Sequence, residues 1–282
     1  MRRKLFGKTG VEVATIGQGT WNMPESGARL DEAKRALRRG IELGMTHLDT
    51  AEMYGGGRVE ELLGEAIRGL DRGRLFITSK VLPSNASYRG TLAAAERSLE
   101  RLGCDYLDLY LLHWPGTHPL EGTMQALEEL VKRGKIRFVG VSNFEAGEMM
   151  EAASYLRETP LQCNQLLYHL GERGIEHELI PLAAQHGIAI VAYTPFGRGR
   201  PASAGKGGAA LERVAGKHGA TARQVTLAFL TRHPNVFAIP KAARVDHVEE
   251  NAAAAEVELD EEDVAAIEAA FQRGSAGPLA TL

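Results

Sequence analysis

The chain has 282 residues, enough for one large core, and α/β barrels of about 250 residues commonly fold as one domain. Its 44% hydrophobic and 24% charged residues are those of a globular protein and exclude a disordered one. A net charge of −3 gives no basic footprint for nucleic acid or an anionic membrane, and two cysteines, Cys104 and Cys163, exclude a disulfide scaffold and fit a reducing compartment.

Met1-Arg2-Arg3-Lys4-Leu5-Phe6 faintly resembles a twin-arginine signal, but Gly7, Lys8, Thr9, Gly10 and Glu12 break the apolar region that a signal needs. Lys4–Phe6, the turn Gly7–Gly10 and Val11–Val13 instead predict a hairpin, placed as a plug under a barrel. Short apolar runs then alternate with longer stretches of helical period. The runs are Ile16–Gly19, His47–Asp49, Leu75–Ser79, Leu107–His113, Phe138–Ser142, Gln162–Gln165, Ala189–Tyr193 and Val236–Ile239. They carry little internal alternation, as strands covered on both faces do. The intervening helices are predicted at Leu30–Leu43, Glu60–Ile67, Thr91–Leu102, Met124–Val131, Met149–Leu156, Ile175–His186 and Val245–Ala254. Leu30, Ala33, Leu37 and Ile41 make one apolar stripe, and Gly44 ends that helix. Ala209–Lys217 and Ala222–Leu230 both fall between the last two strands, so one of them is extra, and Asp260–Phe271 is a second addition. The expected fold is an α/β (β/α)₈ TIM barrel with an N-terminal β-hairpin and two extra helices, one domain over residues 1–282. Gly197–Ala210, rich in Gly, Arg and Ala, reads as a solvated loop or as a flap over a cofactor. No apolar run is long enough to cross a bilayer, so a cytoplasmic protein is expected, acting as a monomer without membrane or nucleic-acid partners.

Several motifs fail. Gly17-Gln18-Gly19-Thr20-Trp21-Asn22 has Asn22 where a dinucleotide fingerprint needs its third glycine, and no helix opens there. Gly199–Gly207 has the wrong spacing for a phosphate-binding loop. The nine histidines form no metal-ligand spacing, so no metal is expected.

Barrel chemistry sits at the C-terminal strand ends. There the second strand delivers Asp49, with Tyr54 in the loop after it. The third delivers Lys80, and the fourth runs into His113-Trp114. A phenol of ordinary pKa about 10 is a poor proton donor near neutrality. The Lys80 ammonium would lower that value, Asp49 would pair with Lys80, and His113 would orient a reacting oxygen. Such a set can protonate a carbonyl but lacks a hydride, which a nicotinamide would bring. Taken singly, Asp49 and Lys80 read equally well as a structural ion pair and His113 as a core histidine.

The chain resembles the aldo-keto reductases along nearly its whole length. The matching segments are Leu48–Gly55, Thr78-Ser79-Lys80, Leu111–Pro115, Gly140–Phe144, Asn164-Gln165, Ala192–Pro195, Ile239-Pro240-Lys241 and Glu250-Asn251. The resemblance implies a catalytic tetrad of Asp49, Tyr54, Lys80 and His113 with Tyr54 as general acid, and reduction of aldehydes or ketones by NADP(H). It implies that Ser142, Asn143 and Gln165 bond the nicotinamide amide and that Tyr193 stacks on its ring. Further cofactor contacts are implied at Gly19, Thr20, Asp49, Thr194, Pro195, Glu250 and Asn251. Lys241 and Arg244, with His247 beside them, would take a 2′-phosphate, although Ala242 and His247 depart from the family's usual Ser and Arg. Trp21, His113 and Trp114 would wall the substrate pocket, and a short tail after Phe271 would leave it open. The competing readings are a non-catalytic cofactor-binding regulatory subunit of the same fold and a metal-dependent barrel hydrolase or isomerase.

Overall fold

The structure is a computed structural model and describes residues 1–197, 205–275 and 277–282. Residues 198–204, half of the Gly197–Ala210 stretch read as a solvated loop or a flap, lie outside the described residues; residues 205–210 belong to a helix rather than a loop.

The hairpin pairs β1 (Arg3–Leu5) with β2 (Glu12–Ala14), Leu5 opposite Glu12. Eight parallel strands follow in chain order: β3 (Gln18–Gly19), β4 (His47–Asp49), β5 (Phe76–Val81), β6 (Leu107–Leu112), β7 (Ile136–Ser142), β8 (Leu161–Leu167), β9 (Ala189–Tyr193) and β10 (Val236–Ala238). Parallel bridges Ile16–Ala238 and Gly19–Lys241 close the sheet on itself. The Gly17 N–H donates to Ala238 O at 2.8 Å and the Gly19 N–H to Pro240 O at 3.1 Å. A Cβ on Gly19 would lie 2.5 Å from the Ile239 carbonyl oxygen, so this seam closes only around glycine.

Ten α-helices occur among the described residues: α1 (Ala28–Glu42), α2 (Arg58–Ile67), α3 (Tyr88–Leu102), α4 (Leu120–Lys132), α5 (Ala146–Ser154), α6 (Leu179–His186), α7 (Gly205–His218), α8 (Ala222–Leu230), α9 (Val245–Ala253) and α10 (Glu261–Ala270). α8 packs on β10 and α9, whereas α7 and α10 pack on each other, so these two are the additions to the barrel. The segment expected as one helix over Ile175–His186 is split. A 3₁₀ turn spans Gly174–Glu176 and α6 starts at Leu179. Pro181 is the reason: it has no N–H to donate and its ring collides with a preceding turn, so it fits only near a helix start.

The core has two parts. Leu48, Ile77, Leu112 and the helix stripes fill the layer between sheet and helices. Phe6, Phe76, Leu109, Leu111, Cys163, Val191 and Phe237 fill the barrel itself. Phe6, from the hairpin, lies about 5 Å from the Phe76 and Phe237 rings and edge-on to His47. Burial drops the His47 pKa to about 3, so it is a neutral member of this apolar plug.

Side chains alternate along a strand, which fixes what the mouth receives. His47 and Phe76 face inward at the bottom, so Asp49 and Lys80 face inward further up. By the same period Leu109 and Leu111 lead to His113, Cys163 to Gln165, and Val191 to Tyr193.

Candidate active site

These inward residues meet in a cavity of about 450 Å³ at the C-terminal ends of the strands. Asp49, Tyr54, His113, Ser142, Asn143, Gln165, Tyr193 and Lys241 line it together with Gly19, Thr194 and Pro195. Lys80 lies beneath, fully buried. Its Nζ donates to Asp49 Oδ1 at 2.7 Å, to Thr50 O at 2.8 Å and to the Tyr54 hydroxyl at 3.2 Å. Gln165 Nε2 donates to the other Asp49 oxygen at 2.7 Å. A buried ion pair is retained only where hydrogen bonds satisfy both partners, and here they do.

Burial presses the Lys80 ammonium toward neutrality, but Asp49 and Tyr54 outweigh it and hold its pKa above the usual lysine range. The phenol differs from the sequence expectation. Burial pushes Tyr54 above its ordinary value, and the downward pull of Lys80 is the smaller effect. Lys80 therefore limits a rise instead of producing a net fall. His113 is lowered to about 2, first by burial and then by Lys80, so its ring is neutral. It stands edge-on to Tyr54 at 5.8 Å and against Trp114 at 4.7 Å, with its Nδ1 buried and unpartnered.

A second network carries the amides. Asn143 Nδ2 donates to His113 O at 3.0 Å and to Ser142 Oγ at 3.1 Å, and Ser142 Oγ donates to Gln165 O at 2.9 Å. The Tyr193 hydroxyl donates to Asn143 Oδ1 at 2.7 Å. Asn22, Asn143 and Thr194 all have positive φ, at 56°, 61° and 52°, and all line the cavity. Left-handed backbone is costly for a β-branched threonine, and such strain gathers at binding sites.

Other expected residues sit differently. Thr20 does not line the cavity; its hydroxyl donates to the Asp49 carbonyl at 2.8 Å and so steadies that strand end. Arg244, at the start of α9, pairs with Asp246 at 2.6 Å, a partner that the sequence reading overlooked. Glu250 accepts from Thr221 Oγ1 at 2.8 Å and faces Arg223 at 3.4 Å. Asn251 is fully buried and neither amide atom has a partner in the protein. Trp21 and Trp114 wall the cavity as expected, with Met53 and Phe196. The tail does not leave the mouth bare: Leu282 lines the cavity, and the Leu279 N–H donates to Glu145 Oε1 at 3.2 Å. Leu282 went unseen in the sequence because it is a single apolar residue outside any motif, and Met53, although inside the Leu48–Gly55 segment, is flanked there by the polar residues that carry the chemistry.

The donor set fits a nicotinamide nucleotide. Gln165, whose Nε2 is taken by Asp49, Tyr193 and the Lys241 ammonium all line the cavity, and the buried Asn251 amide has no partner in the protein. Among the described residues no group of three or more His, Cys, Asp or Glu side chains could hold a metal ion, and no helix is long and apolar enough to cross a membrane.

Comparison with known proteins gives concordant results. The aldo/keto reductase family model matches residues 15–272. The chain is 44% identical to methylglyoxal reductase YeaE of Escherichia coli (strain K12), over 96% of each chain. It is 37% identical to glyoxal reductase of Bacillus subtilis (strain 168), over 95% of this chain and 93% of that one. An aldo/keto reductase from Klebsiella pneumoniae, solved with NADP and acetate, superposes with a TM-score of 0.92 at 40% identity over the full length of both.

Proposed function

The chain belongs to the aldo/keto reductase family, and on that premise we propose how its residues carry out the reaction. It is an NADP(H)-dependent oxidoreductase that reduces aldehydes and ketones to alcohols. When bound, the reduced nicotinamide supplies the hydride. The remaining work falls to the chain. The carbonyl oxygen is held between the Tyr54 hydroxyl and the neutral His113 ring. Tyr54 gives up its proton as negative charge builds on that oxygen. Lys80 stabilises the phenolate left behind, and Asp49 with Gln165 keeps Lys80 in place. Ser142, Asn143 and Gln165 would orient the amide, Tyr193 would pack on the ring, and Lys241 would take most of the 2′-phosphate.

One observation carries this reading: the buried Lys80 ammonium bridges Asp49 and a phenol that opens onto the cavity. A purely regulatory cofactor-binding subunit would have no use for that costly arrangement. The substrates proposed are small carbonyls, with methylglyoxal and glyoxal first, since the Escherichia and Bacillus relatives are named for them. Cavity walls of Trp21, Trp114, Met53 and Leu282 suit a compact molecule whose carbonyl oxygen reaches the polar floor. A cytoplasmic location is proposed as well, supported by the free cysteines Cys104 and Cys163, together with a monomeric state. The test is NADPH consumption with methylglyoxal, glyoxal and a panel of larger aldehydes, ketones and sugars. Turnover with none of them refutes the reading. Turnover only with the large ones refutes the substrate class.

A further inference from the structure

Tyr54 stands on an inherently soft piece of chain. Gly55, Gly56 and Gly57 follow it, all with positive φ, at 58°, 62° and 97°. Three glycines contribute no side chains to hold the turn, and nothing lies within 4 Å of where a Gly56 Cβ would be. Yet the Tyr54 hydroxyl must keep its place 3.2 Å from Lys80 Nζ.

Two carboxylates that point away from the cavity bracket this turn. On the far side, Glu60 of α2 is fully buried and accepts from Ser79 Oγ at 2.6 Å and Arg101 Nη1 at 2.7 Å. On the near side stands Glu52, two residues before Tyr54 and also buried. Its Oε1 accepts from the Leu82 N–H at 2.8 Å and from Asn85 Nδ2 at 2.9 Å, and its Oε2 faces Arg97 Nη2 at 3.4 Å. Leu82 is two residues beyond Lys80. The backbone adds a parallel tie, because the Glu52 N–H donates to Lys80 O at 3.4 Å. The Glu52 side chain thus joins the loop that carries the proton donor to the segment that carries its ammonium. Neither glutamate lines the cavity.

We infer that Glu52 is a positioning residue for the reduction: its carboxylate fixes where the Tyr54 hydroxyl stands against Lys80. This rests on Tyr54 being the proton donor. Without the Oε1 acceptor, the Leu82 N–H and the Asn85 amide lose their buried partner, and the loop is held to β5 only by the Glu52 N–H to Lys80 O contact and the bonds of the Lys80 ammonium. A displacement of about 1 Å at reacting groups can cost about a hundredfold in rate.

The test compares Glu52→Gln, which keeps an acceptor oxygen for Leu82 and Asn85, with Glu52→Leu, which does not. Asn85→Ala serves as a milder cut of the same tie, should Glu52→Leu fail to fold. Crystal structures read the Tyr54–Lys80 distance, and kinetics read kcat, the affinity for NADPH and the alkaline limb of the pH–rate profile. Glu52→Leu is expected to lengthen the distance and to lower kcat by about ten- to a hundredfold while NADPH affinity stays within about twofold. Asn85→Ala should lower kcat by about threefold in the same pattern, and Glu52→Gln should remain near wild type. An unchanged distance and kcat in Glu52→Leu, or in Asn85→Ala where that variant must decide, overturns the proposal. So does a loss of kcat matched by an equal loss of NADPH affinity, which marks general disruption. If wild type itself turns over nothing, the assigned reaction falls, while the measured distance still decides the role of Glu52.

Discussion

A buried ammonium between a carboxylate and a phenol is an expensive arrangement, and its consequences can be measured one residue at a time. Tyr54→Phe removes the proton donor but leaves the ring, so NADPH should still bind while carbonyl reduction falls by at least ~10²-fold. Wild-type kcat in that variant would remove Tyr54 from the mechanism. The pH dependence follows from the directions of the shifts. The donor works only while protonated, so the rate should hold at lower pH and fall as pH rises through the phenol pKa. Burial lifts that pKa above its ordinary value, so the fall should lie on the alkaline side of the usual phenol range. Lys80 opposes the rise, hence Lys80→Met should push the phenol still higher and make it a weaker acid, with most activity lost. His113, held neutral down to about pH 2, should contribute no break in the ordinary imidazole range. An inflection near pH 6.5 that disappears in a His113 variant would show that its ring titrates and would refute the neutral assignment.

Barrel elements divide the labour between bottom and mouth, and mutations should divide the same way. Phe6 fills the bottom with Phe76 and Phe237, so Phe6→Ala should cost about 3–5 kcal/mol of stability and leave kcat at the other end intact. A kcat loss as large as that of Tyr54→Phe would contradict this separation. The β8–α6 connection depends instead on charge. Glu176 is buried among Arg173 at 2.7 Å, Arg232 at 3.1 Å and the Tyr168 hydroxyl. Burial works to raise its pKa, but these donors outweigh it and bring it down to about 2 from 4.5. A depressed carboxyl stabilises the fold above its unfolded pKa and loses that contribution as pH falls through the folded one. Glu176→Gln should therefore destabilise by about 3–5 kcal/mol at neutral pH and flatten the loss of stability between pH 4.5 and 2. Unfolding curves at neutral and acid pH check both points, and an unchanged acid slope would show that Glu176 is not the titrating group. The network as a whole was invisible in the sequence: Arg173 is three residues from Glu176, but Arg232 is distant in the chain and only folding brings it to the same carboxylate. Strand order and the inward residues were legible, because period two carries His47 to Asp49 and Phe76 to Lys80. The break before Pro181 was missed, because helical periodicity across Ile175–His186 concealed it. The Gln165–Asp49 bond was out of reach, since alternation says which way a side chain points but not which partner it meets, whereas the Arg244–Asp246 pair, two residues apart, was overlooked.

The whole molecule should report its cofactor through its stability. A ligand that binds only the folded chain stabilises it by RT ln(1 + [L]/Kd), about 2.7 kcal/mol at a hundredfold excess over Kd. For a chain of this size that amounts to several degrees in Tm, at roughly 2–4 °C per kcal/mol. NADPH and NADH differ by one phosphate, so the difference between their Tm shifts isolates the groups that hold it. Lys241 lines the cavity, and a charge-assisted bond contributes about 1.5–3 kcal/mol, toward the lower end where water reaches the ammonium. Arg244 already shares its guanidinium with Asp246 across an exposed pair, so a phosphate would have to compete for it. Lys241→Met should therefore erase most of the advantage of NADPH over NADH, and Arg244→Ala only part of it. Asp246→Asn should enlarge the advantage, because it releases Arg244 and removes a negative charge from the start of α9. Thermal melts of the four proteins with each nucleotide at matched concentration settle the order. Equal shifts for NADH and NADPH in wild type would mean that this end of the barrel does not read the phosphate, and a larger loss in Arg244→Ala than in Lys241→Met would reverse the roles of the two cations.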